Sequence, residues 1–379
     1  MIAIISYGTH SAHLNYGATL HTYAFQQFLT TRGCQSIVID YISDSLKGYH
    51  FKYPLLNDKN ILNPPRFIYH LVNWTMGFCS NLRKFRKFQN FISEQFVKTQ
   101  KSYTYSDLEQ NTSIEGLDIC VFVCESDVIW KFTAENKFDK GFLLAFSATN
   151  GKKKVAYAPS ISSEPFTERQ LSDFKYYIKD FQAISTREQE GAIYLSNILN
   201  KEIDWVLDPV FLLSAKDYSK LAIKPKDIHY VLVYNCTMND QKMVKEAERF
   251  GKEKNLKVIE ISNYSINKLL NHHEVVTDAG IEEWLGFLMH ADYVICNGFH
   301  GFCFSVIFKK EVFLFLRNHS DYRMQNITRA LGLEDRLIGL DDKRIPNEVT
   351  PINYDQIEQK LSFHIRKAKN YIEKNIENN

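Results

Sequence analysis

The stretch between residues 283 and 308 restricts the fold more than any other part of the chain. Trp284, Leu285 and Leu288 recur at helical spacing, and a short apolar run at 293–295 follows them. A turn then places His300 between two glycines, ahead of a second apolar helix. Helix, strand, turn and helix in this order are typical of a parallel α/β sheet, in which ligands bind at the carboxyl ends of the strands. We therefore expect His300 at a ligand-binding edge; this segment alone leaves open a buried histidine beside a tight turn.

The same alternation of strands and helices runs through the whole chain. Strands are predicted at 1–7, 36–41, 118–124, 153–158, 181–186 and 205–207, and then at 230–234, 258–261, 293–296 and 312–315. Because 379 residues exceed what one hydrophobic core normally organises, we predict two Rossmann-like α/β domains with mostly parallel sheets. The expected boundaries are 1–204 for the N-terminal domain, 205–350 for the C-terminal domain and 351–379 for a C-terminal helix.

Composition excludes several classes of protein. Hydrophobic residues make up 45% and charged residues 24%, as in globular proteins. A formal net charge of +2 argues against a nucleic-acid partner, which usually requires a large basic excess. The seven cysteines are scattered and mostly lie in apolar runs, as expected of a reduced, cytoplasmic protein. No window approaches the roughly 18 to 20 apolar residues of a membrane span, so any membrane contact is expected to be peripheral.

A basic and aromatic segment at 64–101 interrupts the alternation. It interleaves cations such as Arg83, Lys84, Arg86 and Lys87 with many aromatic residues. Such a helix is suited to an anionic membrane surface, here the inner membrane face. The alternative is a helix whose aromatic residues pack inward beneath a solvated cationic face. The sequence does not separate the two.

Polar side chains collect where other predicted strands end. They are Asn15 after the first strand, with Gly17 close by, Ser126 and Asp127 after 118–124, and Arg187 after 181–186. The loop at Gly17 lacks the glycine spacing of a dinucleotide-binding motif, so no nicotinamide or flavin cofactor is predicted. His272 and His273 adjoin in a polar loop, an arrangement that rarely converges on one ion, and no metal is predicted.

Several short segments, spread over nearly the whole chain, together resemble the polysaccharide pyruvyl transferase family. The segments are Asn-Tyr-Gly-Ala at 15–18, Ser-Asp-x-x-Trp at 126–130, Ala-Tyr-Ala-Pro-Ser at 156–160, Ser-Thr-Arg-Glu at 185–188, Leu-Asp-Pro at 207–209, Ala-Asp-Tyr-Val at 291–294, Phe-His-Gly at 299–301 and Leu-Gly-Leu-Glu-Asp-Arg at 331–336. No single segment is decisive, but their order and spacing are specific. The resemblance implies a GT-B-like fold.

The resemblance also implies an activity, the transfer of the pyruvyl group of phosphoenolpyruvate to two hydroxyls of one sugar, giving a ketal and phosphate. Arg187 and His300 match the catalytic pair of the family. A guanidinium suits the carboxylate and phosphate of the donor, and a histidine suits the general acid that protonates its methylene carbon. Asp127 would bind or deprotonate the acceptor hydroxyl, or would instead cap the next helix. The donor is a substrate, so the reaction requires no cofactor.

The chain departs from several relatives at one position, because no cation precedes the histidine of the His300 turn. A second anion ligand must then come from elsewhere, and we favour Arg323 over Arg329. The other expected substrate-binding residues are Asn15, Gly17, Ser126, Asn297, Gly301 and Ser305.

The resemblance makes the expected acceptor a sugar, galactose or a mannose-type sugar being the candidates, in a lipid-linked oligosaccharide precursor of a surface polysaccharide. The N-terminal domain is expected on the acceptor side and the C-terminal domain on the phosphoenolpyruvate side. A nucleotide-sugar glycosyltransferase of the same fold and a non-catalytic assembly subunit are the alternatives.

Overall fold

The computed structural model describes residues 1–9, 14–43, 64–132, 137–161, 166–227, 229–237, 240–318, 321–341 and 344–377. Their contacts divide the chain into two compact units. Of the described residues, the first unit comprises those within Met1–Lys47, Ile92–Leu213 and Glu358–Asn379, and the second comprises those within Gly48–Phe91 and Ser214–Ile357. Residues 64–91 thus belong to the second unit, although the expected boundary placed them in the N-terminal domain. Residues 205–213 and 358–377 belong to the first unit, although they were expected in the C-terminal domain and the C-terminal helix.

The first unit is built on a parallel sheet. Its strands are β1 (Ile2–Ser6), β2 (Ser36–Tyr41), β3 (Lys98–Tyr103), β4 (Val121–Glu125), β5 (Lys153–Tyr157), β6 (Ala183–Thr186) and β7 (Asp204–Trp205). They lie in the order β3-β2-β1-β4-β5-β6-β7, and every pairing is parallel. The central strands β1 and β4 are buried along their whole length, which explains why they are apolar up to their last residues, Ser6 and Glu125.

The second unit repeats this plan. Its strands are β8 (Tyr230–Asn235), β9 (Lys257–Ser262), β10 (Glu274–Val276), β11 (Tyr293–Cys296), β12 (Glu311–Phe315) and β13 (Leu337–Ile338). Their order is β10-β9-β8-β11-β12-β13, again with parallel pairing throughout. The carboxyl ends of β9, β8, β11 and β12 therefore lie side by side along one edge.

Helices connect the strands of both sheets. They are α1 (Tyr16–Thr31), α2 (Pro64–Gln95), α3 (Tyr105–Gln110), α4 (Glu168–Ile178), α5 (Gln189–Leu199), α6 (Ala215–Ser219), α7 (Gln241–Lys254), α8 (Asn267–Leu270), α9 (Ile281–His290), α10 (Phe299–Ile307), α11 (Tyr322–Leu331) and α12 (Tyr354–Ile372). Short 3₁₀ turns lie at Ser147–Thr149, Pro209–Leu212 and Glu334–Arg336, and a π-helical turn lies at Glu373–Glu377. None of the helices within the described residues is long and apolar enough to cross a membrane.

Each unit buries its own hydrophobic core. In the first unit the sheet residues Ile5 and Phe122 pack in one cluster with Phe174 of α4 and Leu195 of α5. In the second unit a separate cluster joins sheet residues to Met243, Ala247 and Phe250 of α7. Because the helices cover the sheet faces, polar side chains that must meet a ligand are left to the strand ends.

Candidate active site residues

Strand β4 ends in a turn with an unusual backbone. Ser126 and Asp127 have φ values of 46° and 58°, in the left-handed region that residues with a side chain seldom adopt. The N–H of Ser126 donates to Tyr157 O over 2.9 Å, and the N–H of Ser160 donates to Asp127 O over 2.8 Å. Such strain persists only where the surroundings enforce it, and it concentrates at functional sites. The turn holds the Asp127 side chain, 17% exposed, at the carboxyl edge of the sheet.

Asp127 does not cap a helix in this structure. Its Oδ1 accepts a hydrogen bond of 2.7 Å from the N–H of the next residue, Val128. Residues 126–132 then form a turn and isolated β-bridges rather than a helix. Of the two sequence-based interpretations of Asp127, the helix cap is therefore wrong, and the role at an acceptor hydroxyl stays a prediction.

His21 of α1, which the sequence did not single out, joins this turn. Its Nδ1 lies 2.8 and 3.1 Å from the two carboxylate oxygens of Glu125, and its Nε2 lies 3.7 Å from Asp127 Oδ2. The imidazole is fully buried. Burial lowers the pKa of His21, but the charges and hydrogen bonds of Glu125 and Asp127 raise it further, to about 10. His21 is thus a cation at neutral pH, fixed between two carboxylates.

The buried His21 imidazolium leads to a prediction about stability at alkaline pH. Its pKa is near 6.5 in the unfolded chain and about 10 in the folded protein. Its contribution to the free energy of unfolding is therefore fully present below about pH 6.5 and is lost as the pH rises towards 10. We expect the difference in free energy of unfolding between the wild type and His21→Gln/Glu125→Gln, measured in urea, to shrink across that range.

The paired substitution in this test matters, because His21→Gln alone would leave Glu125 buried without its cation. Subtracting the variant also removes the pH dependence of groups that do not interact with His21 or Glu125. A difference that stays constant between pH 6.5 and 10 would show that His21 is not charged in the folded protein.

Arg187 lies in the same group of charges. Its Nη1 donates to Asp208 Oδ2 over 2.7 Å, and its Nε lies 3.4 Å from Glu188 Oε1. Ser126 Oγ donates to the same Asp208 oxygen over 3.2 Å. Burial lowers the pKa of Arg187, but the nearby carboxylates, Asp208 first, raise it above its usual range, so the guanidinium stays charged. The structure therefore brings Arg187, Ser126 and Asp127 together with His21; we call this group the Asp208 cluster.

Asn15 and Gly17 lie at the start of α1. Asn15 is the N-cap, and its Oδ1 accepts a hydrogen bond of 3.2 Å from the N–H of Ala18. Gly17 is buried in the first helical turn. The cap gives Asn15 a structural role that its sequence pattern would also produce. Substrate contacts of these two residues stay predictions.

In the second unit, Asn297 anchors the His300 turn, which we define as residues 297–301. Its Oδ1 accepts a hydrogen bond of 2.8 Å from the N–H of Cys236, and its Nδ2 donates to Asn235 Oδ1 and Thr237 Oγ1, each over 3.1 Å. The fully buried amide thus ties the end of β11 to the loop after β8. The side chain that was predicted to contact substrate positions the turn.

The glycines of the turn permit close packing. A Cβ on Gly298 would lie 2.4 Å from Cys236 Sγ, and one on Gly301 would lie 2.6 Å from the Tyr234 ring. His300 is then the second residue of α10 and is half-buried, which answers the alternative of a fully buried histidine. Ser305 is fully buried and donates to Gly301 O over 2.7 Å, a bond within the helix.

Two arginines follow β12 and share one buried carboxylate. Arg317 donates to Asp321 Oδ2 from Nη2 over 2.9 Å and from Nε over 3.2 Å. Arg323, the predicted second anion ligand, has its Nη2 3.4 Å from Asp321 Oδ1. Two guanidinium groups share one carboxylate, so these three side chains together carry a net positive charge. Arg317 was missed by sequence reasoning, although a cation two residues after a strand obeys the same rule that selected His300.

The basic aromatic segment forms α2 and continues into β3. Two of its cations pair with acidic residues of the second unit, to which 64–91 also belongs: Arg83 Nε lies 2.6 Å from Asp278 Oδ2, and Lys87 Nζ lies 2.7 Å from Glu283 Oε2. The alternative to a membrane-binding helix was a helix with inward-packed aromatic residues and a cationic face in solvent. Because these two cations are ion-paired, such a cationic face is only partly present. Membrane contact of this segment stays a prediction.

Two parallel α/β units, each with ionisable side chains at the carboxyl edge of its sheet, define a Rossmann-like protein built to bind a polar ligand. A family model described as Polysaccharide pyruvyl transferase matches residues 15–320. The chain belongs to this family, as its motifs predicted, and the family is one of transferases.

Two solved structures align with most of this chain at low sequence identity. UDP-GlcNAc 2-epimerase from Methanocaldococcus jannaschii aligns over 96% of this chain and 92% of its own, with a TM-score of 0.50 and 9% identity. UGT89C1 from Arabidopsis thaliana, complexed with UDP-L-rhamnose, aligns over 99% and 93%, with a TM-score of 0.45 and 12% identity. The sequence matches none of the curated proteins with which it was compared. The predicted fold class, GT-B-like with two Rossmann-like units and mostly parallel sheets, is confirmed.

Proposed function

We propose that this protein transfers the pyruvyl group of phosphoenolpyruvate to two hydroxyls of a sugar in a surface-polysaccharide precursor, forming a cyclic ketal and releasing phosphate. The observation that carries the proposal is the half-buried imidazole of His300, on the sheet edge where Arg317 and Arg323 share the single carboxylate of Asp321. A proton donor on the same sheet edge as two arginines suits a small polyanion that must be protonated on carbon.

The bond changes of this transfer balance without another reactant. The first hydroxyl oxygen attacks the carbon that carries the phosphate, while His300 protonates the neighbouring methylene, which becomes the methyl group. The proton of that hydroxyl passes to a base, the proposed role of Asp127. Attack of the second hydroxyl on the same carbon breaks its bond to the phosphate oxygen, and phosphate leaves with the remaining proton. In this scheme the general acid and the general base need fixed positions relative to the substrate, and no step requires a metal ion.

Charge distribution supports a division of tasks between the two units. In the Asp208 cluster, the cations His21 and Arg187 lie among the carboxylates of Glu125, Asp127, Glu188 and Asp208. Carboxylates accept hydrogen bonds from sugar hydroxyls. The edge with Arg317 and Arg323 instead favours the anionic donor. We therefore assign the acceptor to the first unit and phosphoenolpyruvate to the second, and we keep a contact of Arg187 with the donor as a separate proposal tested below.

Selective thermal stabilisation by phosphoenolpyruvate is the result we expect first. A ligand that binds only the folded state adds about 2.7 kcal/mol at a concentration roughly 100-fold above its Kd. Phosphoenolpyruvate should therefore raise the melting temperature of the purified protein, whereas UDP-, GDP- and CMP-sugars should not. Differential scanning fluorimetry at equal concentrations makes the comparison without requiring the acceptor.

Inorganic phosphate and pyruvate are the matched controls, since each carries one part of the donor. Stabilisation by a nucleotide sugar and not by phosphoenolpyruvate would replace the proposal with a glycosyltransferase. After a positive result, release of phosphate from phosphoenolpyruvate in the presence of oligosaccharides that contain galactose tests turnover directly.

A further inference from the structure

Strand β9 places a carboxylate inside the second unit. Glu260 is fully buried, although the flanking strand residues Ile259 and Ile261 are apolar. A buried carboxylate is costly unless donors surround it. Four side chains supply those donors: Asn235 Nδ2 and Asn267 Nδ2 lie 3.3 and 2.8 Å from Glu260 Oε1, and Asn271 Nδ2 and His273 Nε2 lie 2.5 and 3.1 Å from Oε2. Both oxygens of the carboxylate are therefore held in place.

The carboxylate of Glu260 stays ionised. Burial raises the pKa of Glu260, but the contacts with His273, Asn267 and Asn271 together lower it below its usual value. His273 Nδ1 lies 2.8 Å from Glu248 Oε1, so that both ring nitrogens face carboxylates. An ionised carboxylate accepts hydrogen bonds and donates none, so each asparagine at Glu260 must direct its NH₂ group towards it.

Asn235 passes this orientation on to the His300 turn. Because its Nδ2 donates to Glu260, its Oδ1 is directed to the other side, where it accepts hydrogen bonds from the N–H of Thr237 over 3.2 Å and from Asn297 Nδ2 over 3.1 Å. Asn297, which donates from Nδ2, accepts a hydrogen bond of 2.8 Å at Oδ1 from the backbone of the loop after β8. Both amides are buried, and the carboxylate allows only one orientation of each.

We propose that Glu260 is a positioning residue that holds the His300 turn through Asn235 and Asn297. This inference rests on the proposed function, because it gives the proposed general acid the support that fixes its place. Replacing buried ionic groups with apolar side chains is often neutral or stabilising, so stability alone does not account for a glutamate here. A paired polar network instead specifies one arrangement, and a misplacement of about 1 Å can cost about 10²-fold in rate.

Glu260→Met tests the anchor itself, since methionine keeps the length of the side chain and removes both accepting oxygens. The backbone N–H of Cys236, which donates to Asn297 Oδ1, reports on the far end of the network. We expect its hydrogen exchange, followed by NMR, to become about tenfold faster, as for the loss of one hydrogen bond. Turnover, measured as phosphate release, should fall by about 10- to 10²-fold. The phosphoenolpyruvate-dependent rise in melting temperature should stay, because donor binding is assigned to other groups.

Asn271→Ala is the matched control. It also removes a buried asparagine donor from Glu260, but at Oε2, whereas Asn235 donates to Oε1. Exchange at Cys236 and turnover should both stay at their wild-type values. Glu260→Asp, which retains the charge and draws the carboxylate back by one methylene group, replaces Glu260→Met if that variant does not fold. It should change exchange and turnover in the same direction. The melting temperature of each variant without ligand confirms that it is folded.

A double-mutant cycle shows whether Glu260 acts through Asn235. Asn235→Ala removes the link between the carboxylate and the turn, so it should change exchange and turnover at least as strongly as Glu260→Met. In the Asn235→Ala background, Glu260→Met should add no further change to either readout. Additive effects of the two substitutions would overturn the proposed route, because Glu260 would then act independently of Asn235.

The two readouts keep this inference apart from the proposed function. The positioning role requires both changes in Glu260→Met, so a change in exchange alone, in turnover alone or in neither overturns it and leaves the proposed function standing. Loss of phosphoenolpyruvate binding together with turnover also overturns it, since the damage would then extend beyond the acid. If the wild type neither binds phosphoenolpyruvate nor releases phosphate from it, the proposed function fails, and with it the role in catalysis. Faster exchange in Glu260→Met would in that case still establish Glu260 as an anchor of the turn.

Discussion

Replacing His300 with alanine is expected to lower turnover by about 10²- to 10⁴-fold, the usual contribution of a positioned general acid. Binding of phosphoenolpyruvate should change little, because the anionic groups of the donor are assigned to cations rather than to the imidazole. The fold should also persist, since His300 is half-buried on the first turn of α10. Phosphate release measures turnover, and the phosphoenolpyruvate-dependent rise in melting temperature measures binding.

A surface histidine of the same unit supplies the control for this experiment. His229 has a side chain that is 73% exposed and lies 3.4 Å from Asp292, and His229→Ala should leave both readouts unchanged. Full turnover in His300→Ala would reject the general-acid role. Loss of donor binding together with turnover would instead make His300 a binding residue, with the proton supplied by another group.

The strands that were predicted most accurately are those buried on both faces. The predicted bounds 36–41 and 293–296 agree with β2 and β11, whose residues are almost all buried. Strand β3 was missed because Lys98–Tyr103 lies at the edge of the sheet and three of its six residues are exposed. An edge strand needs neither an apolar run nor strict alternation, so its sequence carries little periodic signal.

Individual site residues follow the same logic. His300, Asp127 and Arg187 were found because each follows an apolar strand, and the edge rule depends only on local sequence. His21 was missed because its significance lies in Glu125, 104 residues further along the chain, and a histidine among buried helix residues has no local signature.

The cations of α2 show the limit of sequence patterns on a helix. Lys84 and its neighbours form one basic run, and the spacing does not distinguish the buried ammonium from the ion-paired or exposed ones. Only the contact of Lys84 with Asn263, 179 residues away, separates them. The burial of one cation in such a run has no signal in the sequence, and membrane contact of the segment stays a prediction.

Replacing Arg187 with alanine is expected to abolish stabilisation by phosphoenolpyruvate and to lower turnover at least as strongly as His300→Ala. The substitution should also cost about 3 to 5 kcal/mol of unfolding free energy, because it leaves Asp208 and Glu188 buried without their cation. Urea unfolding measures this cost, and it must be known before any loss of activity is assigned to chemistry. Arg169 on α4 is exposed, and Arg169→Ala is the matched control.

Arg187→Lys separates the two roles that the structure gives this side chain. A lysine retains a positive charge near Asp208 but loses the planar fork that binds a carboxylate or phosphate through two parallel bonds. We therefore expect most of the stability to return while donor binding and turnover stay low. If donor binding returns with the stability, and turnover alone stays low, Arg187 acts on the acceptor side, where the surrounding carboxylates also lie. Full activity in Arg187→Lys would reduce Arg187 to a structural counter-ion of Asp208 and would leave donor binding to the cations of the second unit.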